Sequence, residues 1–461
     1  MYFGIKDNGI SLCEIARITG GEIFNAPPEE TYIYNVCTDT RADVSSSLFI
    51  ALIGESFDGH DFVNDAYNGG ALCALVSRDI DTKNTYIKVN DTLYAYGEIA
   101  AAYKQKFNIL TIAVTGSVGK TTTKEFICAV LSTRLKTCKT EANFNNEVGL
   151  PRTLLSINAS HQAAVIEMGM CAKGELTVLS RYTAPDISII TNIGSSHIGL
   201  LGSREDILDA KLEIKNGMNK DGIMLLSGDD DLLSKVKNTE RMNLFVGIDN
   251  KNCHFRAHDI RRTESGTMFD LSYFDEEMHD LFIPTVGKHI VRAAAFAIAC
   301  GILCGIDENS IRRGLMSYTP VAMRQRMIKK NGYTIIEDCY NASPESMRAA
   351  LDVMREEADR HKARAVAVLG EMRDLGSFSI EMHKGVGKYA AERADVVFIF
   401  GQGENQSALA CGCEYGGKKA IMLGDDHVIA AELIKHKLLN NDIVLIKASR
   451  AVRLEKLSEK L

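Results

Sequence analysis

The sequence is short of the features that take a chain into a membrane, along a secretory route or onto a nucleic acid. No apolar run is long enough to span a bilayer, which excludes a membrane-spanning helix. Met1 to Gly21 lacks the basic region, apolar run and small-residue cleavage site of a signal peptide. Leu12, Ile15 and Ile18 are instead spaced for a short helix stopped by Gly20-Gly21, and a cytoplasmic location is expected. A basic excess is missing too: 53 Lys and Arg face 60 Asp and Glu, a formal net charge of −7. That argues against a general nucleic-acid binder and leaves anionic ligands to local Lys, Arg and backbone donors. The twelve cysteines include no Cys-x-x-Cys pair, and Cys73, Cys128 and Cys300 lie inside apolar runs, so reduced, buried thiols are expected and not disulfides or a zinc site. Prolines number only seven and no internal repeat is evident, so domain boundaries must come from changes of pattern.

What is present is a composition of 46% apolar and 25% charged residues over 461 positions, suited to a soluble globular α/β chain of about three domains. The first hundred residues carry strand-like runs at 47–53, 72–77 and 85–89 and a helix-like stretch at 94–106, a small α/β module. A new rhythm opens at Ile109, where ILTIAVTG enters a Gly-rich turn and a helix-like segment at 120–135. Strand-like runs at 163–170, 187–194 and 222–228 follow, alternating with helical patterns as in a parallel, doubly wound sheet. The rhythm restarts after Tyr318-Thr319-Pro320 with YTIIEDCY, ARAVAVLG, DVVFIFG and DIVLIKAS.

Thr115-Gly116-Ser117-Val118-Gly119-Lys120-Thr121-Thr122 stands where a phosphate loop belongs, between a buried strand and a helix N-terminus whose N–H groups and dipole face an anion. Lys120 would meet the β- and γ-phosphates and the Thr121 hydroxyl a Mg²⁺ ion. Val114 occupies the place of the first glycine of the common P-loop pattern, which excludes the most populous P-loop families; a structural turn is the alternative.

The shortened loop resembles the TGxxGKT loop of the Mur ligase and folylpolyglutamate synthetase superfamily. Further segments match in the same order: LFIALIGESFDGHDFV (48–63), NFNNEVGLPRTLL (143–155), EMGM (167–170), ITNIGSSHIGLLGSREDILDAKLEI (190–214), DCYNASPESMRAAL (338–351), LGEMRDLG (369–376) and VLIKASR (444–450). Together they resemble the Mur ligases, and among these the branch that adds D-alanyl-D-alanine. The resemblance implies three domains: a small N-terminal α/β UDP-sugar module (1–107), a central P-loop-type doubly wound ATP-binding domain (108–319), and a Rossmann-like parallel α/β ligase domain (320–461) that closes on ATP and the amine. It implies that ATP phosphorylates the terminal carboxylate of UDP-N-acetylmuramoyl-tripeptide and that the amine of D-alanyl-D-alanine then displaces phosphate, in peptidoglycan precursor synthesis by a monomer.

Residue roles follow from the same resemblance. Lys120, Glu167, His197 and Lys211 are the expected catalytic group, with Thr121, Glu167, His197 and Lys211 toward Mg²⁺, Lys211 as a carbamate that turns a cation into an anionic oxygen ligand. For Glu167 an exposed strand-end carboxylate is the alternative, and for Lys211 a solvated helix lysine. Arg324 and Asp338 would approach the ATP phosphates and ribose. Thr40, Arg41, His60, Asn143, Asn145, Asn146, Asn341, Ser346, Lys447, Ser449 and Arg450 are expected on the substrates, with loop capping the alternative for at least one asparagine and a satisfied polar turn for Thr40-Arg41 and Phe57 to His60. Three positions depart from the family: Ala293 stands where an asparagine contacts adenine, Ser45-Ser46-Ser47 replaces Pro-Gly-Asp, and Ala448 replaces a glycine. A sister ligase with another amine is the nearest rival function, and a non-catalytic nucleotide- or precursor-binding paralogue is the rival of another class. Folylpolyglutamate synthetases lack the N-terminal module.

Overall fold

The computed structural model describes residues 2–4, 9–237 and 241–461. Three main sheets follow one another along the chain. The first runs Tyr2–Gly4, Asn35–Cys37, Ser47–Ile50, Cys73–Val76, Tyr86–Lys88, Glu22–Phe24, its four inner strands parallel and its two edges antiparallel. The expected first helix is Leu12–Thr19, started by the Ser11 side chain and ended by Gly20 at φ 65°.

Helix Thr92–Gln105 joins this module to the centre. Gly97 passes so close to the Tyr182 ring that a Cβ there would lie 2.2 Å from it, and the Tyr103 hydroxyl donates to Ile157 O at 3.0 Å. The second sheet runs Thr137–Lys139, Ala163–Glu167, Leu110–Thr115, Ile187–Ile190, Ile223–Ser227, Met242–Gly247, Phe255–Arg262, Thr267–Tyr273, Glu276–Ile283. It is parallel as far as Phe255–Arg262 and closes with an antiparallel meander. The expected parallel, doubly wound sheet makes up the greater part of the centre, and the meander extends it at one edge. The meander strands are only partly buried, as in Glu276–Ile283, with Met278, Leu281 and Ile283 inward and its charges outward. Helix Lys288–Leu303, apolar almost all round, lies within the same core.

The third sheet runs Arg326–Lys330, Tyr333–Glu337, Ile443–Lys447, Ala365–Leu369, Val396–Ile399, Ile421–Met422, parallel except at its first edge. In the second and third sheets the strand order reverses within the parallel part, and crevices beyond the carboxyl ends of strands at such points are where α/β folds bind ligands. The twelve cysteines are all free thiols, and no described helix is long and apolar enough to cross a membrane.

Candidate active site

Strand Leu110–Thr115 ends between the ends of Ala163–Glu167 and Ile187–Ile190, so three loops converge at one point. Gly116 leaves the strand at φ 144° against Thr191, where a Cβ would stand 1.9 Å from Oγ1, so only glycine fits. Gly119 has open space around it and is demanded by its φ of 83° alone. The loop is stitched to the following segment: the Ser117 and Val118 N–H groups donate to Asn192 O (3.1 Å) and Oδ1 (2.9 Å), and the Thr191 hydroxyl donates to Val118 O (2.6 Å). Lys120 begins helix Lys120–Leu131 and folds back so that Nζ donates to Gly116 O at 2.8 Å. Burial lowers its pKa from the ordinary lysine value, against the opposing pull of Glu167.

Glu167, 3% exposed, accepts from the Thr121 hydroxyl on Oε2 and from the Asn145 carboxamide on Oε1, both at 2.8 Å. Its own N–H is held by Thr140 Oγ1. It is thus a buried carboxylate fixed beside the loop and not an exposed strand-end group. Asn146 does cap: its Oδ1 accepts from Gly149 N–H at the start of helix Gly149–Leu155. Asn143 is exposed, its carbonyl holding Asn145 N–H.

Lys211 lies on helix Arg204–Leu212, capped by Ser203, and is 2% exposed, so it is no solvated helix lysine. Among the described residues its ammonium makes no hydrogen bond or ion pair. Burial first, and then the positive charge of Lys120, hold its pKa well below the ordinary lysine value. His197 adopts φ 63° before the short helix Ile198–Leu201. Burial first, and then the charges of Lys120 and Lys211, lower its pKa from the ordinary histidine value. Its Nδ1 stands 3.8 Å from Asp374 of the C-terminal sheet unit.

The phosphate loop forms one wall of a cavity whose opposite wall comes from the third sheet. Asp338 follows strand Tyr333–Glu337, and its carboxylate accepts from Lys447 Nζ at 2.7 Å; the same ammonium donates to Asn341 O at 2.9 Å. Lys447 is 1% exposed, so it fixes the 338–341 turn more than it offers a free charge. Arg324 lies over the Tyr340 ring with its guanidinium carbon 4.3 Å from the centroid. Ser346 lines the cavity while completing a capping box with Ser343. Ala293 lines it with Ile290 and Phe296, next to His289, whose Nε2 is bonded to Gln325 Oε1 at 2.7 Å.

Other expected residues stand apart. Ser449 is buried and accepts from Arg373 N–H, and Arg450 is exposed and paired with Glu455 at 2.7 Å. Ala448 is accommodated because Gly370 faces it; a Cβ at 370 would lie 2.8 Å from the alanine methyl. Thr40, Arg41 and His60 do not line the cavity. Arg41 is paired with Asp39, and His60 has both ring nitrogens engaged, Nδ1 with Asp58 (2.6 Å) and Nε2 with Ser77 N–H (2.9 Å), which makes it a fixture of its own turn. Sequence reasoning gave no role to Asn192, Tyr340, Gln325 or Asp374. Asn192, Tyr340 and Asp374 stand in the quoted segments 190–214, 338–351 and 369–376, and that adjacency was the available signal; Gln325 lies outside them.

Two family models match the chain, the Mur ligase middle domain over residues 114–301 and the Mur ligase, glutamate ligase domain over 323–450. The UDP-N-acetylmuramoyl-tripeptide–D-alanyl-D-alanine ligase of Bacillus subtilis is 38% identical over 97% of both chains. Among solved structures, MurF from Acinetobacter baumannii superposes with a TM-score of 0.89 at 30% identity, covering 98% of this chain and 99% of its own. MurF ligase from Thermotoga maritima in complex with ADP gives 0.84 at 28% identity, covering 92% and 96%.

Proposed function

The chain belongs to the Mur ligase family, and from that premise we propose that the cavity between its central and C-terminal sheets holds ATP while the carboxylate end of UDP-N-acetylmuramoyl-tripeptide and the amine of D-alanyl-D-alanine meet at Lys120. The protein is an ATP-dependent ligase that joins D-alanyl-D-alanine to the tripeptide in peptidoglycan precursor synthesis. The supporting observation is the Thr121–Glu167–Asn145 cluster next to Lys120, with Thr121 and Glu167 buried, and a second wall from another domain across the cavity. The division into 1–107, 108–319 and 320–461, a cytoplasmic location and a monomeric state belong to the same proposal.

Lys120 places positive charge where negative charge moves from ATP to the acceptor carboxylate, and the loop N–H groups hold the phosphates in line. Mg²⁺ suits the donors present. Among the described residues no three His, Cys, Asp or Glu groups form a metal cage, and this ion is ordinarily held by one or two protein oxygens together with phosphates and water. Thr121 and Glu167 supply such oxygens, and His197 and a carbamylated Lys211 would stand on the acceptor side; the ion would neutralise phosphate charge. Lys447 holds Asp338 and Asn341 toward the nucleotide, and the C-terminal wall shields the acyl phosphate from water. Asn143, Asn145, Asn146, Ser449 and Arg450 support the substrates through the loops they brace, and Thr40, Arg41 and His60 shape the UDP-sugar module. Phosphate release and product formation with a panel of amines test the reading. D-Alanyl-D-alanine should be used, and single amino acids such as D-glutamate or diaminopimelate should be poor acceptors. Equal use of a single amino acid on a shorter precursor moves the assignment to a sister enzyme.

A further inference from the structure

Glu345 spans the two halves of the site without a part in the ligation as described. It stands in the first turn of helix Pro344–His361, where the helix N-terminus favours an anion. Its Oε1 accepts from both the N–H (2.9 Å) and the hydroxyl (2.6 Å) of Ser195 in the central domain. Its Oε2 is buried without a hydrogen bond among the described residues, pressed toward Gly194, where a Cβ would come to 2.9 Å from the carboxyl carbon.

The segment it grips is the one that carries the phosphate loop. Asn192 holds Ser117 and Val118, Gly194 N–H donates to Ser117 Oγ at 2.9 Å, and two residues beyond Ser195 comes His197. Its own domain anchors the segment earlier, at Ile193, whose N–H donates to Asp230 (2.8 Å) and whose carbonyl accepts from Arg204 (2.9 Å). Downstream of that anchor the segment is held to the phosphate loop by Gly194 and by the Ser196 hydroxyl, which donates to Ser117 O at 3.3 Å, and across the interface by Glu345 and by Asp374 O, which accepts Gly199 N–H at 3.2 Å.

Resting on the ligation set out above, we infer that Glu345 is a positioning residue: with the C-terminal domain seated, its bonds to Ser195 fix the 191–197 segment, so that the phosphate loop and His197 reach their reacting arrangement when ATP is enclosed. A carboxylate accepting two donors on one oxygen makes charge-assisted bonds, the stronger kind. Formed only when the two domains meet, they act on turnover and not on the first capture of nucleotide. Glu345 lines the same cavity and acts through Ser195.

The test uses the full chain with ATP, the UDP-muramoyl-tripeptide and D-alanyl-D-alanine, comparing Ser195→Ala, Glu345→Ala, the isosteric Glu345→Gln, the double alanine variant and Lys120→Ala. Ser195→Ala and Glu345→Ala should each lower kcat roughly tenfold, with the Kd for ATP in the absence of acceptor within about threefold of wild type. Glu345→Gln, which keeps an acceptor oxygen, should recover part of the loss. The double variant should be no slower than Glu345→Ala, because that change already removes the acceptor of the Ser195 hydroxyl as well as of its N–H. A kcat for Glu345→Ala within about twofold of wild type, a loss matched in full by weaker ATP binding, or single effects that multiply in the double variant each overturn the inference. Lys120→Ala separates the two levels. An inactive Lys120→Ala beside a fully active Glu345→Ala removes the role of Glu345 alone, whereas an active Lys120→Ala removes the site on which both rest.

Discussion

At the scale of single residues, burial decides what Lys211 and His289 can do. A lysine that is 2% exposed, with Lys120 as its charged neighbour, is held toward the neutral amine, the form that adds CO₂ to give a carbamate and a proton. Lys211→Ala should lose nearly all ligation yet still bind ATP, with part of the turnover returned by formate or acetate. Lys211→Arg, which stays cationic, should remain inactive; an active arginine variant would remove the carbamate from the mechanism. His289 gives a stability prediction. Burial lowers its pKa to about 4, whereas the unfolded imidazole titrates near 6.5. Below about pH 6.5 the unfolded chain takes up a proton that the native ring refuses, so stability is whole above that value and falls as pH drops toward 4, by about 3 kcal/mol from this group. Urea midpoints from pH 7 to 4 should therefore fall less steeply in His289→Gln. The inwardness of Lys211 could be read only from its motif, because the flanking Leu208 and Leu212 are themselves half-buried. For His60 the sequence shows a histidine in a matching turn and not that Asp58 and Ser77 hold its ring.

At the scale of elements, the parallel units were legible because buried strands read as unbroken apolar runs ending in turns, as in ILTIAVTG. The meander at 255–283 was not, since its half-solvated strands mix charges such as Arg261, Arg262, Glu276 and Glu277 with single apolar positions, and their pairing is set by neighbours distant in sequence. Helix Lys288–Leu303 carries a prediction of its own. Ala293 opens into the cavity between Ile290 and Phe296, while the polar His289 is spent on Gln325. With no side-chain amide at that turn, discrimination of ATP over GTP should be weak. Ala293→Asn should raise the kcat/KM ratio by roughly tenfold, the worth of about one added hydrogen bond to the base. A wild type that already rejects GTP, and is unchanged by the substitution, would place base recognition elsewhere.

At the scale of the whole molecule, the third domain meets the second through backbone as well as side chains. Gly199 and Gly376 touch so closely that a Cβ on Gly199 would lie 2.4 Å from Gly376 N. Any side chain there is a wedge, one that leaves the Thr121–Glu167 cluster and the fold of each sheet untouched. The consequence is one of chemical thrift. An acyl phosphate made in a clamshell that cannot shut meets water before it meets the amine, so Gly199→Val should turn the ligase toward a leaky ATPase. The ratio of phosphate released to peptide bonds formed, near one in the parent, should rise several-fold in the variant while total phosphate release falls less than product. A variant that slows both equally would show that the seam between the domains governs speed and not fidelity of coupling.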